Sequence, residues 1–466
     1  MSAQGPFSQD RDLSRGRGRG LLSPLMLFLL VMLVGCGGPA AEMSPADPLP
    51  PPRAWSSEAL VSLRQAADIA VAHGLTRPSL PLDELALLEP LSLRDIPAAQ
   101  RLDETADQVF AGLALAFAIG ATDPELVDPQ WRIARPPAPD LESLRRTLQD
   151  GADVSQTLTG LLPTSPEYWA LVAELRDVRT RPDHDAERRG FARHEREARL
   201  RASLERWRWL PRDLPSRRIE VLTPFFELRM RDGAESLAHR VIVGARRNQT
   251  PSFDDAIETI TLNPTWTPPS SIATQDLIPR FRRDPDALTR EGFEVLDASS
   301  RPVDPADVDW GARPFPFTLR QRPGAYNALG RLRFDMPNPY ALFLHDTPSR
   351  GLFARADRAL SHGCIRVSNP EALAAAVIAD AEWDQQAIEA AIATGATQTI
   401  TLAASLPVYV LYLTAAADGE GHVQYADDIY GRDAAVIAAL DNLRAVPERG
   451  APAVSRSASE AECMPM

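Results

Sequence analysis

From Trp55 to about Pro211 the apolar positions recur at helical spacing. In SSEALVSLRQAADIAVAHGL, Leu60, Leu63, Ala67 and Ala70/Val71 share one face, and Gly74 supplies a stop. LDETADQVFAGLALAFAIG is apolar almost all round, which predicts a buried helix ending at Gly120. SPEYWALVAELRDV opens with a capping serine, Ser165, and a proline at the first helical position, Pro166. DAERRGFARHEREARLRASLERWRWL reads as one long charged helix with Leu200, Leu204 and Trp207 as its inner face.

Near Arg218 the period drops to two. Ile219/Val221, Phe226/Leu228/Met230 and Leu237/His239/Val241/Val243 alternate, with Asp232-Gly233 as a hairpin turn between the last two runs. ETITLNP, YALFLHD and SLPVYVLYLT predict further strands. NPEALAAAVIADA predicts a helix that Ser368 or Asn369 can cap, and Ser368 with Glu371 has capping-box spacing. Between them, about 264–323, runs a Pro- and Arg-rich stretch too long for an ordinary connection and suited to a lid, with some helical pattern of its own in ATQDLIPRFRRDPDALTREG. The pattern predicts an α+β chain. An all-α scaffold domain spans 55–215, a mainly β, sandwich-like domain spans 216–433, and a helix and disordered tail occupy 434–466.

The N-terminus stands outside that fold. Arg11, Arg15, Arg17 and Arg19 precede an apolar run, Leu21 to Val34, which has the length of a signal-peptide core and is too short to span a bilayer. The run closes in LVGCGG, which resembles a bacterial lipobox. That resemblance implies a signal peptide over 1–35, acylation of Cys36, and a lipid anchor on a membrane. Gly37 after the cysteine implies the outer membrane of a Gram-negative cell, with the folded body in the periplasm. An ordinary signal peptide with an incidental cysteine is the plainer alternative. Residues 36–54, rich in Pro, Ala and Gly, read as a semi-rigid tether. The net charge is −13, every basic residue is arginine, and no basic stripe occurs, which argues against nucleic acid as a partner.

Of the three cysteines, Cys463 lies in a small-residue tail and Cys36 in the lipobox-like segment. Cys364 is then a lone thiol in an oxidising compartment, a pattern that points to chemistry. A thiol of ordinary pKa, about 8.5, needs a base to become a nucleophile near neutral pH. Two histidines offer themselves: His362, two residues away in RALSHGCIRVSNPEALA, and His345, at the strand end of YALFLHD. Zinc held by His345, His362 and Cys364 lacks an evident fourth ligand. A buried structural thiol is the bland alternative.

LHDTPSRGLFARADRALSHGCIRVSNP resembles the signature of the L,D-transpeptidases with a YkuD-type catalytic domain. LERWRWLPRDLPSRRIEV, VIVGARRNQTPSF, NPTWTPPSSI, RQRPGAYNALGRLRFDMPNPYALFLHDTP and DDIYGRD are similar, in order, to the large, lidded, scaffold-bearing branch of that family. The helical half matches more loosely, through AHGL, DPELVDPQW and SPEYWALVAEL. The resemblance implies Cys364 as nucleophile, His345 as its base, and the Asp346 carbonyl as the group that orients the imidazole. The Gly363 and Cys364 amides are expected to be oxyanion donors, with Ser361 and His362 as supports. Arg366 is expected to pair with a substrate carboxylate, and Trp266, Tyr326 and Asn327 to line a donor pocket under the lid.

The same resemblance implies no cofactor and no metal. It implies peptidoglycan stem peptides as substrates, 3→3 cross-links formed through a cysteine thioester, and release of D-alanine. Water as acceptor (an L,D-carboxypeptidase) and cleavage of a lipoprotein from the wall remain alternatives on the same pair. An inactive wall-binding lipoprotein is the alternative of another class. No glycine-punctuated repeat encodes the peptidoglycan-binding module common in that branch.

Overall fold

The computed structural model describes residues 54–76, 80–181, 190–233 and 235–442. The leader, Cys36, the tether up to residue 53 and the tail with Cys463 lie outside the described residues.

In the helical half, local signals start and stop the helices. Ser56, Asp95 and Ser165 each accept a first-turn backbone N–H with the side chain, opening Ser57–Ala72, Ile96–Ile119 and Pro166–Thr180. Ile96–Ile119 ends at Gly120, where φ is +85° and an added Cβ would meet the Trp209 indole at 2.6 Å. Leu60, Leu63, Leu102, Phe110, Phe117 and Leu171 fill one core. The long charged helix is shorter than its composition suggests. It runs Arg193–Trp209, because Gly190 stands at φ +71° and Ala192 is extended. Its last turns bury Leu200, Leu204 and Trp207, but also Glu205, Arg206 and Arg208. Arg208 lies 2.7 Å from Glu205, and Arg206 lies 2.5 Å from Asp433 of the other half. Charges stay buried only when paired in this way.

The second half is mainly β. Its strands are β1 (Arg217–Leu222), β2 (Glu227–Asp232), β3 (Glu235–Gly244), β4 (Phe253–Leu262), β5 (Phe293–Leu296), β6 (Pro302–Val303), β7 (Thr318–Gln321), β8 (Leu332–Asp335), β9 (Leu344–His345), β10 (Ala359–Ser361), β11 (Ile365–Val367), β12 (Gln398–Leu411), β13 (Ala415–Ala417) and β14 (Val423–Tyr425). Pairing runs β3-β11-β9-β8-β4-β12-β1-β2, and β2 pairs back onto β3 through the hairpin at Asp232-Gly233. The sheet therefore closes on itself and leaves few open edges. Ile219, Val221, Leu228, Ile260, Phe334, Leu344, Ile365 and Val367 point into its core.

Two elements depart from the sequence pattern. Residues 264–323 fold as a body with a core of their own. Ile278, Phe281 and Leu288 on short helices pack against Phe293, Val295 and Leu319 of the sheet β6-β5-β7. The helix Pro370–Ile378 has no capping box. Asn369 takes the cap position in a left-handed conformation, Ser368 Oγ accepts the Arg240 N–H at 3.0 Å, and Glu371 turns to Arg331 and Arg350.

Candidate active site

Strand register brings the site together. β11 lies parallel to β9 with Ile365 beside Leu344 and Arg366 beside His345. Because side chains alternate, Ile365, Val367 and Leu344 enter the core, while Arg366 and His345 share the opposite face. Cys364 lies one residue before β11, partly buried against the β core. Antiparallel β8 adds Arg333 opposite His345, and β3 adds Ile242 opposite Arg366.

His345 is buried, 4% exposed, and its Nδ1 lies 2.5 Å from the Asp346 carbonyl. Burial lowers its pKa to about 3. The Arg366 charge works in the same direction, and hydrogen bonds to the Asp346 and Leu329 carbonyls work against it. The imidazole is therefore neutral at neutral pH. The Asp346 side chain does separate work: it accepts the Arg331 N–H at 2.9 Å and Arg350 Nη2 at 3.2 Å. Gly330 leaves it room, since a Cβ there would collide with the carboxylate.

Cys364 is half-buried. Burial pushes its thiol pKa up, while the Phe343 N–H and the Arg366 guanidinium pull it down. Its Sγ contacts the Ala341 carbonyl at 3.9 Å, and among the described residues it is hydrogen-bonded to neither histidine. The turn before it is tightly tied. Ser361 Oγ donates to the Cys364 carbonyl at 2.6 Å and accepts the Gly363 N–H at 3.1 Å, and Thr250 Oγ1 donates to the Gly363 carbonyl at 2.8 Å. Gly363 adopts φ +118°. The Gly363 amide, expected to face an oxyanion, is thus already taken up by Ser361. Of the two expected donors, only the Cys364 N–H has no acceptor among the described residues.

The remaining expected residues divide. Arg366 is on the site face; its Nε is buried without a hydrogen bond, and among the described residues no carboxylate pairs with it. His362 points to the insertion, with Nε2 3.3 Å from Asp276. Asn327 belongs to the neck of the insertion rather than to a pocket wall. It is 1% exposed, and its amide N–H groups go to the Pro264 and Arg322 carbonyls. Trp266 is part of the same neck, exchanging backbone hydrogen bonds with Gln321 and packing edge-on to Phe293. Tyr326 is 68% exposed. Among the described residues no cluster of three or more histidine, cysteine or carboxylate side chains is arranged to hold a metal. Sequence reasoning missed Thr250, Arg350, Glu371 and Asp276 as parts of this neighbourhood. Thr250 alone left a signal, as the residue closing the turn GARRNQT before a proline.

Residues 216–396 match the model of the L,D-transpeptidase catalytic domain named YkuD, and residues 53–175 match a scaffold-domain model. A curated Haemophilus influenzae protein named "Putative L,D-transpeptidase" is 37% identical over 218 residues. That stretch covers 46% of this chain and 44% of the relative, less than half the relative's length. Cys364 and His345 both lie inside the matched segment, and the chain carries a YkuD-type L,D-transpeptidase catalytic domain behind a scaffold domain.

Proposed function

We propose that this protein is an L,D-transpeptidase that forms 3→3 peptidoglycan cross-links through a thioester on Cys364. The observation that carries this reading is the register of β11 on β9, which sets a guanidinium with no carboxylate partner among the described residues beside a neutral imidazole, with the half-buried Cys364 thiol one residue before β11. Arg366 is suited to a carboxylate of the stem peptide, which would bring the scissile carbonyl to Sγ. As Sγ attacks the carbonyl of the third stem residue, meso-diaminopimelate in the family, the thiol proton passes to the neutral His345. The C–N bond to D-alanine breaks, His345 returns the proton to the leaving amine, and a thioester remains. A side-chain amine of a second stem then attacks the thioester, losing a proton to His345 and restoring the thiol. Hydrogen bonds of this kind commonly tighten only when substrate is bound, which accommodates the separate thiol and imidazole of the free protein.

The insertion over 264–323 would limit water at the thioester, a role supported by the approach of Asp276 to His362 of the cysteine loop. The lipobox-like LVGCGG supports an anchored, periplasmic protein. Cys364→Ala is expected to abolish D-alanine release from a purified tetrapeptide muropeptide, followed by chromatography of the products. Release at the wild-type rate would overturn the mechanism. A tripeptide product without cross-linked dimer, in the presence of acceptor stems, would identify a carboxypeptidase instead.

A further inference from the structure

We propose that Thr250 is a positioning residue for the oxyanion donor: its hydroxyl fixes the Gly363–Cys364 peptide so that the Cys364 N–H faces the carbonyl under attack. The inference rests on the acylation of Cys364 proposed above.

Thr250 is 1% exposed, and both roles of its hydroxyl are assigned by its neighbours. The Gly244 N–H, 2.9 Å away, can only donate, so Oγ1 accepts there. The hydroxyl proton is then left for the Gly363 carbonyl at 2.8 Å. In a trans peptide the C=O and N–H point to opposite sides. Holding the Gly363 carbonyl against Thr250 therefore turns the Cys364 N–H away from Thr250. Ser361 occupies two further polar groups of the turn, the Gly363 N–H and the Cys364 carbonyl. The Cys364 N–H, without an acceptor among the described residues, has its direction set by Thr250.

Thr250 is itself clamped. Its carbonyl accepts from Arg432 Nη2 at 3.0 Å, and the Arg432 guanidinium lies 4.6 and 4.9 Å from the Tyr412 and Tyr430 ring centroids. Tyr430 donates to the Gly244 carbonyl at 2.6 Å. Asp128 of the helical half, fully buried, stands 3.9 Å from Arg432. Gly244 makes the turn possible, because a Cβ there would collide with the Asn248 carbonyl and sit 2.7 Å from the Thr250 nitrogen. Thr250 is thus braced from the scaffold side toward the cysteine loop.

The test compares two reactions of the same thiol in the full chain. Acylation by a carbapenem, followed by mass spectrometry over time, places negative charge on a carbonyl oxygen. Alkylation by iodoacetamide displaces iodide at a saturated carbon and needs no oxyanion donor. Thr250→Val is expected to slow acylation about 10- to 100-fold with alkylation unchanged, and Thr250→Ser to restore acylation. Cooperative melting confirms the fold of each variant, and Thr250→Ala replaces the valine variant should that one not fold. Wild-type acylation in the hydroxyl-free variant, equal loss of both reactions, or failure of serine to rescue would each overturn the role of Thr250. A wild-type protein inert to the acyl donor but open to alkylation would overturn the acylation reading, and the Thr250 role with it.

Discussion

Arg366 acts on both partners of the proposed reaction. Its charge lowers the Cys364 pKa and also lowers that of His345, so it favours a thiolate while disfavouring an imidazolium. Its proposed third role, pairing with a substrate carboxylate, rests on the absence of a carboxylate partner among the described residues. Arg366→Gln is expected to raise KM for a tetrapeptide donor about tenfold or more, the scale of a lost charge-assisted hydrogen bond. At a fixed pH near 8 the variant is also expected to alkylate more slowly with iodoacetamide, since its thiol pKa rises. An unchanged KM with slower alkylation would confine Arg366 to the thiol. At this scale the sequence showed His345 at a strand end, which β9 reproduces, and parallel pairing then sets Arg366 of β11 beside it. The rest depended on contacts between segments far apart in the chain. Glu371 meets Arg331 across 40 positions, and Thr250 meets Gly363 across 113, neither of which any local spacing announces.

Among the elements, the insertion over 264–323 diverged furthest from its pattern. Its length and composition suggested a lid, but its sheet was hidden because β5 and β7 have four residues each and β6 only two. The Arg193–Trp209 helix was legible with its inner face, but its buried charges were not. Glu205 and Arg208 pair with each other, and Arg206 looks solvent-facing until Asp433 arrives from the far end of the chain. β12 was legible as an apolar strand, although not its reason. Val408 and Val410 face the β core, Tyr409 and Leu411 face the helical core, and burial on both faces removes the alternation. The neck of the insertion gives a test at this scale. Asn327→Ala leaves the Pro264 and Arg322 carbonyls without their donor, at a cost of about 1–3 kcal/mol. Hydrogen exchange is expected to quicken across β5 and β7 while β4 and β12 keep their protection. Equal quickening in all four strands would show that the insertion does not open separately from the sheet.

The two halves meet through shared cores and buried charge, and that arrangement also holds several histidines neutral. His73, in the helical half, has its pKa lowered from 6.5 to about 4, chiefly by burial with the Arg208 charge second; its Nδ1 lies 2.8 Å from Tyr168 Oη. His345 is lowered to about 3, and His239 is lowered as well, both chiefly through burial. An unfolded chain binds protons on these rings as pH falls through 6.5, while the folded protein does not until its own lower values are reached. Protons therefore favour the unfolded state. The contribution is fully present above about pH 7 and is lost as pH falls from 6.5 toward 4, by up to about 1.4 kcal/mol per pH unit for each ring. His73→Gln removes one such ring far from the cysteine and retains a polar side chain beside Tyr168. Its unfolding free energy, from denaturant titrations at pH 7 and pH 5, is expected to fall less between the two than that of the wild type. A wild-type decline no steeper than the variant's would mean that His73 takes up no extra proton on unfolding. In that case its place between Tyr168 and the Arg208 side chain does not hold it neutral.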